Sequence, residues 1–362
     1  MMRSWLGGLT LLLAITVTAS VTAQRQDVTL WVTLGDSDQL VEVDAYTFTE
    51  IRRITTDPKP HGLAASADGS KIYIGSDRTG NFQVIDARSG KVTAQIPLGK
   101  DPNQMTLTRD GRFAYMPMRG ENAVAIVEFD PLRLVKKIAM NEGPHDAYTS
   151  ADGSRVYVGA QYGNAIAVFD AAKQALLHHI PTSDGVRPLE PTENGKIIYT
   201  ALSNLIGFVM VDPDSRSVTR RVELAQLPEG VPKPYLNTYT HALQLVKNDT
   251  ELWVTDCVND LVRIVSTRDL KEIAQIRVGK FPHWFTVRPD GEAVRQPVGL
   301  ARGGRHRHRD SESAGEHPVR TRHRAEADPR CAESPVIDVD SRHQQVLPAD
   351  HFRPAPTGHR GA

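Results

Sequence analysis

Pro60-His61-Gly62-Leu63-Ala64-Ala65-Ser66-Ala67-Asp68-Gly69 decides the fold, because it comes back. Forty-two residues on stands Pro102-Asn103-Gln104-Met105-Thr106-Leu107-Thr108-Arg109-Asp110-Gly111. After the same interval stands Pro144-His145-Asp146-Ala147-Tyr148-Thr149-Ser150-Ala151-Asp152-Gly153, and Asn194-Gly195 keeps the phase once more. An insertion, Pro228 to Tyr239, then delays the series, which resumes at His241 and at Pro282-His283 with Pro289-Asp290-Gly291. Each Asp-Gly marks a hairpin turn between alternating strands. Lys71-Ile72-Tyr73-Ile74-Gly75 and Arg155-Val156-Tyr157-Val158-Gly159 are such strands, and Asn81 to Asp86 and Lys91 to Gly99 complete a unit. Four short strands in a period of this length make one propeller blade, and no unit has room for a helix.

These residues resemble the bacterial YVTN-type (YncE-like) β-propeller repeat family. Its repeat runs through a Pro-x-Gly start, Asp-Gly, a Tyr-Val strand and a Val-x-Val-Ile-Asp strand. The likeness extends from Leu30 to Gly291. It implies an all-β, seven-bladed propeller. A partial unit at Leu30 to Thr56, five full units and the start of another at Pro282 give seven if the last is completed. The domain reading is therefore a signal peptide at 1–23, a propeller at 24–291 and a tail at 292–362. The family implies no single activity. It includes binding and surface proteins, and related propellers include lactonase-like hydrolases, lyases and quinone-, copper- or haem-linked oxidoreductase components.

Composition excludes several classes. Lys and Arg number 43 against 43 Asp and Glu, so the cation excess of a basic nucleic-acid binder is absent. Two cysteines, Cys257 and Cys331, exclude a disulfide scaffold and a four-cysteine zinc site. Cys257 lies in the apparent strand Trp253 to Cys257 and reads as a buried thiol. At the N-terminus, Arg3 precedes a mostly apolar run from Leu6 to Val21, and Val21-Thr22-Ala23 supplies small residues for cleavage. That layout predicts export to the periplasm or beyond, with Gln24 first in the mature chain and no membrane span in it.

The tail breaks the pattern. From Glu292 to Ala362 there is no Lys, Tyr or Trp, but there are 12 Arg, 7 His and 7 Pro. One reading is a polar, low-complexity, disordered extension. The other is a GC-rich gene read out of frame. Gln296 to Leu300 can be written CAG CCT GTG GGA CTC, which one base later gives Ser, Leu, Trp and Asp. Arg305 to Arg309 can be written CGT CAC CGT CAT CGA, which one base later gives Val, Thr, Val and Ile. These are the strands a seventh blade lacks, so a frameshift near Glu292 to Gln296 is expected. Sequencing the gene across the codons for Val287 to Arg309 should find an extra or missing base, and an intact frame with no repeat in another frame overturns the expectation. The chain as written is expected to leave open edges at Leu30 to Thr56 and after Pro282, and to aggregate. A closed propeller would be a monomer. The tail's His306, His308, His317 and His323 offer loose metal binding that an out-of-frame origin makes meaningless.

One column carries the chemistry. Seven residues before each turn Asp or Asn stand His61, Asn103, His145, Arg187, His241 and His283. Inner strands line a propeller's channel, so these residues are expected to ring one mouth. Trp284 and Tyr148 either line the same mouth or are core aromatics, and the Pro-rich insertion with Tyr235 and Asn237 is a candidate lid or a passive surface excursion. Three readings stand. The ring is a polar pocket, with Arg187 clamping a carboxylate or phosphate. Alternatively His61, His145, His241 and His283 hold Cu or Zn. Otherwise the histidines only bond neighbouring backbone or channel water. No nucleophile elbow, phosphate loop, dinucleotide fingerprint or haem-attachment motif is present. The expected function is thus an exported module for a small ligand or a protein partner, with a propeller enzyme as the alternative.

Overall fold

The computed structural model describes residues 28–227, 230–231, 237–287 and 336–337. Sheet one contains β1 (Thr29–Leu34), β2 (Gln39–Asp44) and β3 (Glu50–Thr55). Sheet two is β4 (Pro60–Ala65), β5 (Lys71–Ser76), β6 (Asn81–Asp86) and β7 (Lys91–Pro97). Sheet three is β8 (Thr106–Leu107), β9 (Phe113–Met118), β10 (Ala123–Phe129) and β11 (Leu132–Ala139). Sheet four is β12 (Pro144–Thr149), β13 (Arg155–Ala160), β14 (Ala165–Asp170) and β15 (Ala175–Pro181). Sheet five is β16 (Val186–Pro191), β17 (Ile198–Leu202), β18 (Gly207–Asp212) and β19 (Ser217–Glu223). Sheet six is β20 (Leu243–Val246), β21 (Glu251–Asp256), β22 (Leu261–Ser266) and β23 (Glu272–Arg277). Every sheet is an antiparallel meander.

The sequence dictates which strand goes where. Second and third strands, such as β13 and β14, are Val-, Ile- and Ala-rich and buried on both faces. Fourth strands, such as β7 and β19, alternate Lys, Arg, Thr and Ser with single apolar residues and lie exposed at the rim. The core sits between neighbouring sheets. Tyr73 and Phe82 of sheet two meet Met116 and Ala125 of sheet three, and Tyr73 stacks on Phe129 at 4.2 Å between ring centroids. Burying Phe82 completely contributes about 2–3 kcal/mol. The predicted Asp-Gly turns are five-residue loops, in which Asp68 accepts from the Ser66 hydroxyl and the Ser70 amide.

Two expectations are corrected. The described residues form six four-stranded sheets, not seven. Residues 281–287 start toward the next position, where Val287 joins Trp253, Val262 and Ile264. No further strand of a seventh sheet follows among the described residues, because the alternating text stops at Gly291. The first sheet, expected to lack its inner strand, has one. β24 (Val336–Ile337) pairs antiparallel with β1, matching Val32 to Ile337 and Thr33 to Val336. Pairing through the backbone places few demands on side-chain text, which is how a strand arises inside the tail. The apolar cluster Leu30, Val32, Val41, Val43 and Ala45 draws on sheet one alone among the described residues. The signal-peptide segment, the frameshift position and the tail histidines lie outside the described residues.

Candidate functional site

The inner strands carry a shared irregularity that sets the site. In β4 the register shifts between His61 and Leu63, in β12 between Pro144 and Ala147, and in β16 between Val186 and Leu189. A strict strand sends adjacent side chains to opposite faces. A bulge inserts a residue, bends the strand and re-aims the side chains there. The re-aimed positions are those of the histidine–arginine column. In β12 the bulge turns two consecutive side chains together, so His145 Nδ1 hydrogen-bonds Asp146 Oδ2.

His145, Arg187, His241 and His283 converge. The His145 and His241 rings meet edge to face with centroids 5.2 Å apart, and His241 and His283 follow at 5.5 Å. Trp284 packs edge-on against His241 at 5.3 Å. Arg187 is 1 % exposed. Its Nε donates to Ser203 Oγ at 2.9 Å and its Nη2 to the Asn237 carbonyl at 3.2 Å. The end of the insertion is therefore folded against the ring, and Tyr239 is anchored there through its amide to the Ser203 carbonyl. Tyr235 lies outside the described residues. His61 is partly exposed, with Nδ1 4.0 Å from Asp77 Oδ1, and is close enough to act electrostatically on His145 and Asp146. Asn103 is fully buried; its Oδ1 accepts from the Gln104 amide. Tyr148 is not at the mouth. It packs on the core between sheets four and five and borders a small cavity of about 70 Å³ between the inner strands.

A second column was missed. Sixteen residues after each ring position, at the end of the second strand, stand Asp77, Arg119, Gln161, Ser203 and Cys257. Arg119 grips Asp101 through two bonds, Nε to Oδ2 at 2.8 Å and Nη2 to Oδ1 at 2.9 Å, and lies 3.8 Å from Asp77. Lys59 reaches Asp77 at 3.4 Å. Exposed Tyr162 follows Gln161 and lies close enough to act electrostatically on Arg119 and Arg187. The same 42-residue phase that exposed the first column could have found the second. Cys257 is buried, as expected, and burial pushes its thiol up to about 12.

Burial fixes the charges. It holds the imidazoles of His145 and His241 well below their ordinary range, helped by the Arg187 cation beside both. His283 falls to about 4 for the same two reasons. Burial drives Asp146 up to about 8 and Arg187 down to about 10. At neutral pH the ring thus holds neutral imidazoles, a protonated Asp146 and a charged guanidinium. Within the two columns and beside them, His61 Nδ1, Asp77 Oδ1, Asn103 Nδ2, Asp146 Oδ1, Gln161 Oε1 and His241 Nε2 are buried with no hydrogen-bond partner. Among the described residues, no group of three or more His, Cys, Asp or Glu is arranged to hold a metal ion. Of the four histidines expected as Cu or Zn ligands, His145, His241 and His283 pack together, and His61 acts electrostatically on His145 and Asp146.

The fold and site can now be set beside known proteins. A chain titled Kuenenia stuttgartiensis hydrazine synthase superposes with a TM-score of 0.65 and 17 % identity, over 73 % of this chain and 87 % of its own. Dihydro-heme d1 dehydrogenase NirN, solved in complex with DHE, gives 0.57 and 15 %, over 72 % of this chain and 56 % of its own. At such identities the likeness is one of fold. No curated protein matches the sequence. The model of the YNCE-like beta-propeller family matches residues 8–204, more than half of the chain. With the repeat, the meander sheets and their radial order in agreement, the chain belongs to the YNCE-like β-propeller family.

Proposed function

We propose that this chain is an exported binding module that holds a small anionic ligand at the ring formed by Asn103, His145, Arg187 and His241. One observation supports the reading above the others. Buried polar atoms in proteins are almost always hydrogen-bonded, yet the donor Asn103 Nδ2 and the ring atom His241 Nε2 are both buried without a partner. Arg187 supplies the charge that would select an anion. Guanidinium recognises carboxylate and phosphate through paired N–H donors. The Met1 to Ala23 layout supports export, and no described helix is long and apolar enough to cross a membrane.

The test is calorimetric titration of the full chain with small carboxylates and inorganic phosphate. Arg187→Met keeps the volume and removes the charge. It is expected to weaken carboxylate binding roughly 10- to 100-fold, the worth of a charge-assisted hydrogen bond. Unchanged affinity in a variant whose thermal melt stays intact overturns the reading, as does failure of every anion to bind the parent chain.

A propeller enzyme is the second reading, and the His145–Asp146 pair favours it. A buried carboxyl bonded to imidazole Nδ1 orients the ring and can hold or pass one proton at Nε2. Turnover would show as ligand consumed during the same titration.

A further inference from the structure

A cleft of about 680 Å³ lies between sheets four and five. It sits at the opposite end of the strands from the ring. His145 stands near the start of β12, whereas Ser150 and Asp152, just after β12, line the cleft. The repeat explains the space. Tyr73 and Tyr157 stand two periods apart, and so do Phe129 and Pro213. Phe129 of sheet three stacks on Tyr73 of sheet two. Sheet five offers Tyr157 only the smaller Pro213, and both line the cleft.

Tyr157, Val168 and His178 form one row across β13, β14 and β15. Residues paired across antiparallel strands share a face, here the one packed on sheet five. In β15 the register passes from His178 to Leu176 and leaves Leu177 as an extra residue. That bulge lets the adjacent Leu177 and His178 both line the cleft. Leu177 is 43 % exposed, and His178 Nε2 is buried with no hydrogen-bond partner.

Asp152, Arg155, Glu193, Lys196, Asp214 and Arg216 border the cleft, three of each sign, and no described ion pair joins any two of them. Asp152 is held by the Ser150 hydroxyl and the Ser154 amide, and Arg155 donates to the Ser154 carbonyl. The remaining charges are not evenly mixed. Asp214 lies close enough to act electrostatically on Tyr157, Arg216 on His178, and Arg155 on both. The two ends of the row are two strand spacings apart, about 10 Å. An extended tripeptide reaches about as far between its terminal charges. A simple anion would meet the cations but also the three carboxylates. A peptide group carries both N–H and C=O, so it can bond His178 Nε2 in either tautomer.

We propose that this cleft binds a short zwitterionic peptide of about three residues, its ammonium on Asp214 beside Tyr157, its carboxylate on Arg216 beside His178, and an apolar side chain on Leu177. The site is separate from the ring and does not rest on the anion reading.

The experiment is calorimetry on the full chain with alanyl-leucyl-alanine, free, N-acetylated, C-amidated or blocked at both ends. The free peptide is expected to bind most tightly, and each block to weaken it roughly two- to fivefold, the worth of an exposed ion pair. Asp214→Asn should remove the effect of acetylation and keep that of amidation, and Arg216→Gln should do the reverse. Both side chains are exposed, so the fold should survive, which thermal melts check. Nitrogen NMR places the peptide: the His178 Nε2 resonance should move as the free peptide is added. Equal affinity of the free and doubly blocked peptides overturns the proposal. So do block effects that persist in both variants, an unmoved His178 resonance, or no binding of the free peptide at about 10 mM.

Discussion

Lowering the pH from 7 to 5 is expected to destabilise this protein. The imidazoles of His145, His241 and His283 are held below their ordinary value by burial and by Arg187, His283 down to about 4. An unfolded chain protonates each near 6.5. For a base lowered on folding, stability is complete above the unfolded value and is lost as the pH falls below it. Each such group costs about 1.4 kcal/mol per pH unit in that range. Asp146 acts in the other sense. Its carboxyl is raised to about 8, so its contribution is complete below about 4 and is lost as the pH rises toward 8. Asp146 and His145 share a hydrogen bond and titrate as one unit, so their slopes cancel. His241 and His283 remain; His283 loses stability from about 6.5 down to about 4, and His241 adds a loss of the same sense below about 6.5, against a total of about 5–15 kcal/mol for a typical domain. Urea unfolding at pH 7, 6 and 5 measures the slope. His241→Phe should halve it and Asp146→Asn should steepen it. A slope below one proton would mean that the folded ring already carries protonated imidazoles.

Gly62→Ala is the substitution expected to do the most damage for the fewest atoms. Gly62 follows His61 inside the β4 bulge with φ +61°. A Cβ there would lie 2.1 Å from the Asn103 carbonyl oxygen and 2.8 Å from its carbon. Both are backbone atoms, so relief requires sheet two to move away from sheet three. Left-handed backbone adds about 1–2 kcal/mol for any residue with a side chain. The sum should reach about 3 kcal/mol or more, the range of severe single substitutions. Asn103 would move with its carbonyl, so anion affinity should fall as well. Gly69→Ala is the matched control. Its φ is +67°, but nothing lies within 4 Å of the added carbon. It should lose only the backbone cost of about 1–2 kcal/mol. Thermal melts of the two variants decide the matter, and equal losses would mean that the sheets yield freely at this contact.

Much of this was legible in one line of text. The 42-residue phase located the strands, and a single column of it named His145, Arg187, His241 and His283 before any coordinates did. Asp146 escaped notice because strand alternation puts consecutive residues on opposite faces, and only the β12 bulge brings it round to His145. The same bulge explains why Tyr148 faces the core rather than the mouth. Arg119 and Gln161 belong to a second column that periodicity shows equally well. The strand Val336–Ile337 could not be read at all. Two residues carry no period, and their partner β1 lies at the far end of the chain. The blade count differs because the seventh unit, already expected to be incomplete after Gly291, forms no sheet among the described residues.

The pairing of β24 with β1 has a consequence for the order in which the molecule can assemble. Sheets two to six are each built from neighbouring hairpins and can close as soon as their own residues leave the ribosome. Sheet one is different, because its inner edge must wait for residues about 300 positions further along the chain. Until then β1 presents open N–H and C=O groups beside the apolar Leu30 and Val32. The capture of β1 by β24 is therefore a long-range pairing that forms late, and the rival outcome is capture of β1 by another chain.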